Sequence, residues 1–309
     1  VPSLSTVVRP AYRPYVTRVS RVERLSPHFV RVELFADDLE HFGTAGLDQR
    51  IKVLFPRADG SFADVGQDEA AGDWYDRWRQ LPDAQRNVFR TYTVRSLDPS
   101  ACTVTVDFVT HHDAGPAGSW AQQAAPGQSI VIVGPDERSP HSRIGLDWHP
   151  GSARRLLLAG DETAAPAISA VLESLDASFD VDAFIEVPTA ADALSLDVPD
   201  SFRVHWLARD EHPHGMPLRA ALASWTSRSA DVLVRAAAPR PQRLDDVDVD
   251  IDLLWDSPED ADGEFYAWIA GEAAMVKAIR RSLVTDHGVD RKRVAFMGYW
   301  RLGQSERVE

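Results

Sequence analysis

Three residues in the stretch "FRTYTVRS" (89–96) have side chains suited to a flat, phosphorylated ligand. Strand side chains alternate with period two, so Arg90 and Tyr92 project to one face. A guanidinium fork pairs with phosphate, and an aromatic ring packs on a planar group. Thr93 offers a hydroxyl and a backbone N–H to a ring nitrogen at the ligand's edge. An exposed strand face with a tyrosine at its rim accounts for the same pattern, and Arg95, on the Thr93 side, reads as a surface or inter-domain base.

A second group lies in "DFVTHHDAGPAGSWAQQAA" (107–125), where a strand ends at His111 and small residues lead into helix-like sequence. The segment Ala117, Gly118, Ser119, Trp120 starts that helix, and free backbone N–H groups at such a start attract a pyrophosphate. His111 could stack on or hydrogen-bond a nucleotide; a solvated histidine at a strand end fits equally, and His112 reads that way. Farther on, "LLLAGDETAAPAISAVLE" puts Gly160 at a strand end and Thr163 near a helix start, the geometry of a dinucleotide turn, although it is not G-x-G-x-x-G. A capped helix with Asp161 or Thr163 as cap is the alternative. Glu186 ends "VDAFIEV" at the distance where an acid accepts from a ribose 2′-hydroxyl, and "EVPTAADALSL" holds no base for a 2′-phosphate. That leans to NADH, with Arg203 and Arg209 as the bases that would reverse it.

These groups need elements to position them. From residue 14 to 133 six β-type runs recur, several alternating apolar and polar as in "VTVDFV", which predicts a six-stranded antiparallel β-barrel. Between the third and fourth runs, "DEAAGDWYDRWRQLPDAQ" reads as a surface insertion with a helical turn. After "DWHPGSARRLLLAGDE" strands alternate with helices, one of them expected over 165–175, which predicts an α/β doubly wound parallel sheet. The expected domains are 1–148 and 149–309, consistent with 309 residues being long for a single core.

A formal net charge of −14 argues against nucleic acid or an anionic membrane as the main partner. No apolar run approaches the length of a membrane span, and no secretion signal is read at the amino terminus. The single cysteine, Cys102, cannot form an internal disulfide; it reads as a small buried core residue and fits a reducing cytoplasm. The run 245–262 carries nine acids in eighteen residues and no base, and reads as a solvated edge strand and loop.

In their order, "RTYTVR", "VDFVTHHDAGPAGSWA", "PGQSIVIVGP", "LLAGDETAAPAI", "FYAWIAGEAAMVKAIRRSL" and "GYWRLG" resemble the siderophore-interacting protein family of FAD-dependent ferric-siderophore reductases, within the ferredoxin-reductase-like superfamily. The resemblance implies an FAD-binding barrel and an NAD(P)H-binding domain, with electrons passing from NADH or NADPH through FAD to siderophore-bound Fe(III). It makes Arg90, Tyr92 and Thr93 the contacts to the flavin phosphate, the ribityl chain or ring, and the N5 edge respectively, and His111 with Ala117, Gly118, Ser119 and Trp120 the rest of the FAD site. By the same analogy Gly160, Asp161, Glu162, Thr163, Gly271 and Glu272 line the nicotinamide nucleotide, while Lys52 and Arg301 meet the anionic iron chelate. No protein-bound metal and no catalytic acid or base is implied. A monomer is expected, with a ferredoxin as the other donor to consider. Two readings stay open: a general flavin or ferredoxin-type reductase with another acceptor, and a non-catalytic siderophore-binding protein.

Overall fold

Alternating burial organises the first half of the chain. In the computed structural model, which describes residues 9–303 except 111–114, 245–246, 250–251, 260 and 262, the chain divides into units Val1–Leu146 and Asp147–Glu309. The first unit holds β1 (Tyr12–Arg24), β2 (Phe29–Phe35), β3 (Arg50–Leu54), α1 (Trp74–Gln80), β4 (Phe89–Thr93), β5 (Ser96–Asp98), β6 (Thr103–Val109), α2 (Pro116–Gln122) and β7 (Ser129–Pro135). Its strands form one antiparallel sheet in the order β4-β3-β7-β1-β2-β6-β5. Val30, Val32 and Leu34 pair with Phe108, Val106 and Val104, and all six are buried in the sheet's core. Between them Arg31 sits opposite Asp107 and donates to it twice, at 2.7 and 2.8 Å.

The sheet has seven strands where six runs were expected, because the fourth run, which holds β4, leads directly into a further short strand, β5. β4 pairs with β3; the Val94 N–H then donates to Gln49 O (2.9 Å) and the Arg95 N–H to Thr105 O (2.8 Å), after which β5 pairs with β6. One extended segment thus pairs with both edges of the sheet, which curls it. Periodicity reports which face is buried and cannot reveal a change of partner. The crossing also corrects Arg95, which is buried with its Nε 3.6 Å from the Asp107 carboxylate rather than being a surface base.

Two further readings change. The insertion is no mere surface loop: Trp78 is buried and packs with Val65, Leu54, Phe89, Val131 and Val133 in a second apolar cluster. Cys102 is only half-buried: it sits at φ 53° in the turn before β6 and packs against the core from there rather than lying within it.

The second unit holds β8 (Arg155–Gly160), α3 (Ala165–Glu173), β9 (Asp180–Val187), β10 (Arg203–Ala208), α4 (Met216–Arg228), α5 (Ala230–Ala236), β11 (Trp255–Asp256), β12 (Phe265–Glu272), α6 (Ala273–Arg280) and β13 (Val294–Trp300). The sheet order is β10-β9-β8-β12-β13-β11, parallel except for β11, which makes it a mixed sheet. Leu157, Ala159, Ala267, Ile269 and Phe296 pack with Leu218, Leu222 and Trp225 of α4 and Met275, Val276 and Ile279 of α6. The edge strand β11 lies in the acidic run, as expected, and its Asp256 takes a 3.0 Å bond from Arg280. Among the described residues no helix is long and apolar enough to cross a membrane.

Candidate functional site

In the first unit, Tyr92 of β4 and Trp120 of α2 are joined through two core rings. Tyr92 lies 4.5 Å from Phe108 and 6.5 Å from Phe55, and Trp120 lies 5.5 and 5.7 Å from the same two, centroid to centroid. Tyr92 and Trp120 are themselves half-buried, so each ring is anchored on the core while part of it reaches solvent. Arg90 is half-buried on the Tyr92 side and donates to the Phe89 carbonyl at 2.7 Å. Thr93 is buried in register with Arg50.

Helix α2 starts at Gly115 with Pro116 in its first turn and no side-chain cap. The Ser119 N–H is bonded back to Gly115 O at 2.9 Å, so Ala117 and Gly118 are the amides without an acceptor inside the helix. A half-buried ring, an arginine on its face and two such amides fit a flat ring bearing phosphates. His111 lies outside the described residues. Lys52 pairs in register with Thr91, donates to its hydroxyl at 2.6 Å and stands 5.5 Å from the Phe89 ring. It is therefore on the sheet face opposite Arg90 and Tyr92.

In the second unit, the chain order of the sheet reverses between β8 and β12, and crevices at the carboxyl ends of such strands hold ligands. Gly160 ends β8 there: a Cβ would stand 2.5 Å from both the Ala270 carbonyl and the Ala164 Cβ. Gly271 has φ 140°, and a Cβ on it would meet Asp161 Oδ2 at 2.6 Å. Only glycine lets the two turns approach so closely. Gly160→Ala should accordingly destabilise the protein by about 2 kcal/mol, read as a lower urea midpoint at unchanged slope.

The Asp161 carboxylate occupies the space that Gly271 leaves. Fully buried, it accepts through Oδ1 from the Thr163 N–H (2.9 Å) and hydroxyl (2.5 Å), and through Oδ2 from the Glu272 N–H (2.7 Å) and Trp300 Nε1 (2.9 Å). Glu162 takes both arms of the Arg209 guanidinium at 2.8 and 2.9 Å. Glu272 caps α6 by accepting from the Met275 N–H at 2.8 Å. His214 places Nε2 3.4 Å from Asp161 and 3.7 Å from Glu162, with its ring edge-on to Trp300 at 5.1 Å. Burial alone would favour neutral imidazole, but the two carboxylates outweigh it and hold the His214 pKa at about 10. Burial would likewise raise Glu162, yet His214 and Arg209 hold it at about 2. Asp161, Glu162 and His214 are close enough to grip a cation. All four carboxylate oxygens already accept from protein donors, and His214 and Arg209 supply the positive charge, so the cluster is an internal ion network.

Glu186 is not placed to read a ribose. It is fully buried, accepts from the Gly215 and Leu218 N–H groups at the start of α4 (2.8 and 3.1 Å), and pairs with Arg209 at 3.1 Å. The ground for preferring NADH goes with it. Arg203 is bound to Asp180 and Asp182 at the amino ends of the strands, far along the sheet from the turn. Arg301 donates to the Asp252 carbonyl at 2.5 Å. Sequence reasoning missed His214 and Trp300; the one available signal was a histidine immediately before Gly215 and the Met216-Pro217 helix start.

Residues 18–139 match the family described as a siderophore-interacting FAD-binding domain, and residues 153–303 match the siderophore-interacting protein family. The chain is 33% identical to an uncharacterized protein of Mycobacterium tuberculosis, over 96% of this chain and 94% of that one. It is 26% identical to the ferric vibriobactin reductase ViuB of Vibrio cholerae (93% and 89% covered) and 28% identical to an NADPH-dependent ferric-chelate reductase of Escherichia coli (91% and 91%). Among solved structures, a siderophore utilization protein from T. fusca superposes with a TM-score of 0.69 at 28% identity, covering 96% of each chain.

Proposed function

The chain belongs to the siderophore-interacting protein family, and from that premise we propose that it is a flavin-dependent ferric-siderophore reductase using NAD(P)H as donor. Its fold is the two-domain ferredoxin-reductase-like succession of a curled antiparallel sheet and a mostly parallel one. We read the latter as doubly wound, with residues 1–148 as the FAD domain and 149–309 as the NAD(P)H domain. The observation that supports the flavin site best is the aromatic group in which Phe55 and Phe108 hold Tyr92 and Trp120 together.

FAD, when bound, supplies the conversion of a two-electron donor into single-electron delivery to iron. The protein's part is binding and orientation. Tyr92 offers a ring face stiffened by Phe108, Arg90 supplies positive charge to a phosphate, Thr93 lies at the ring edge, and Ala117 to Trp120, with His111, complete the site. Gly160 to Thr163, with Gly271 and Glu272, form the nucleotide turn, where backbone groups face the ligand because the Asp161 and Glu162 carboxylates are turned inward. Arg301 and Lys52 supply positive charge to an anionic ferric siderophore; Lys52 does so from the face away from Tyr92. Hard oxygen ligands hold Fe(III) more tightly than Fe(II), so reduction releases the metal without a protein acid or base. A monomer in the reducing cytoplasm completes the proposal.

The test is anaerobic. FAD-loaded protein is mixed with NADH, NADPH or a reduced ferredoxin, and then with ferric siderophores, free flavin or a cytochrome. Bleaching of the flavin by a nicotinamide nucleotide and its return with ferric siderophore is the expected result. Indifference to every ferric siderophore would overturn the acceptor, and bleaching by ferredoxin alone would overturn the donor.

A further inference from the structure

In a doubly wound nucleotide domain, an acid ending the second strand binds the ribose 2′-hydroxyl of NADH, or a nearby arginine takes the 2′-phosphate of NADPH. Glu186, near the end of β9, and Arg209, directly after β10, occupy these two positions, and the Arg209 N–H is bonded to the Val187 carbonyl at 2.8 Å. Both are engaged inside the protein. Of the three bonds Arg209 makes to carboxylates, two go to Glu162. Glu186 has two amide donors besides Arg209, so it stays satisfied if the arginine moves. Glu162 is therefore the group that holds Arg209 back.

Resting on the reading of the second unit as the NAD(P)H domain, we propose that Glu162 is a specificity-determining residue that withholds Arg209 from the donor's 2′-phosphate. The protein then does not distinguish NADH from NADPH through this arginine. Removing the Glu162 charge leaves Arg209 with a single carboxylate bond, and its guanidinium becomes available to a phosphate, for which a planar fork is the matching donor.

The experiment measures anaerobic reduction of the FAD-loaded protein by NADH and NADPH in the wild type, Glu162→Gln, Arg209→Met and the double variant. Glu162→Gln should raise the NADPH-to-NADH ratio of kcat/KM by about tenfold, through a lower KM for NADPH. Arg209→Met alone should leave that ratio within about twofold of wild type, and the double variant should cancel the gain. An unchanged ratio in folded, flavin-loaded Glu162→Gln overturns the proposal. So does a fall in the ratio beyond about threefold in Arg209→Met alone, which decides the matter even if Glu162→Gln does not accumulate. If neither nucleotide reduces the wild type while dithionite-reduced protein still reduces ferric siderophore, the donor reading itself fails and takes this inference with it. That outcome differs from an unchanged ratio.

Discussion

Asp161→Ala should lower stability by about 3–5 kcal/mol, one of the largest losses available to a single substitution in the second unit. The carboxylate is fully buried and is the acceptor for the Glu272 N–H, Trp300 Nε1, and both donors of Thr163. Alanine leaves the Glu272 amide and the Trp300 indole without this acceptor and takes away the anion closest to His214. Burying unmatched donors and an under-compensated imidazolium costs more than the bonds contribute net. Asp161→Asn keeps the volume but presents an NH2 to one of the two donor pairs, so it should fall between alanine and wild type. Chemical denaturation followed by circular dichroism measures both. FAD loading should survive in each variant that folds, because the proposed flavin residues lie in the first unit, while reduction by NAD(P)H should be lost. A cost below about 1 kcal/mol for Asp161→Ala would show that the hub is dispensable.

How much of this was legible in the sequence depends on what local pattern can encode. Alternation in "VTVDFV" announced a half-buried strand; Val104, Val106 and Phe108 are buried as the pattern requires, but Thr105 and Asp107 on the other face are buried as well, which alternation alone does not foretell. Strands alternating with helices announced the mostly parallel sheet of the second unit. The joint order of six short segments pointed to the family, although no one segment was specific. What could not be read is partner choice. Arg95 looked like a surface base because nothing local says that the strand crosses to β6 and meets Asp107. Glu186 looked like a ribose acceptor because it ends a strand, and only tertiary structure shows that the start of α4 and Arg209 have already claimed it. His214 was invisible for the same reason: its carboxylate partners lie some fifty residues earlier in the chain.

His214 also sets the pH dependence of stability. It faces Asp161 and Glu162 after β8, with Trp300 of β13 against its ring, and Arg209 and Glu186 lie beyond Glu162 in the same network. Its pKa is about 10 in the folded protein against an ordinary value near 6.5. The folded state therefore holds a proton that the unfolded chain has released, and the resulting stabilisation is complete below pH 6.5 and is lost as pH rises through about 10. Glu162 works in the opposite direction. With its pKa lowered from 4.5 to about 2, its contribution is present above pH 4.5 and is lost as pH falls towards 2. The pair thus favours a stability maximum on the mildly acidic side of neutral. From there to pH 10 the wild type should lose on the order of 3 kcal/mol to His214 alone. His214→Gln should start lower at pH 6 and show a much flatter profile over the same window, the two curves converging near pH 10. Urea unfolding at half-unit pH intervals measures this. A variant whose curve runs parallel to the wild type throughout would mean that the imidazole is neutral in the fold and that the two carboxylates are balanced by Arg209 alone.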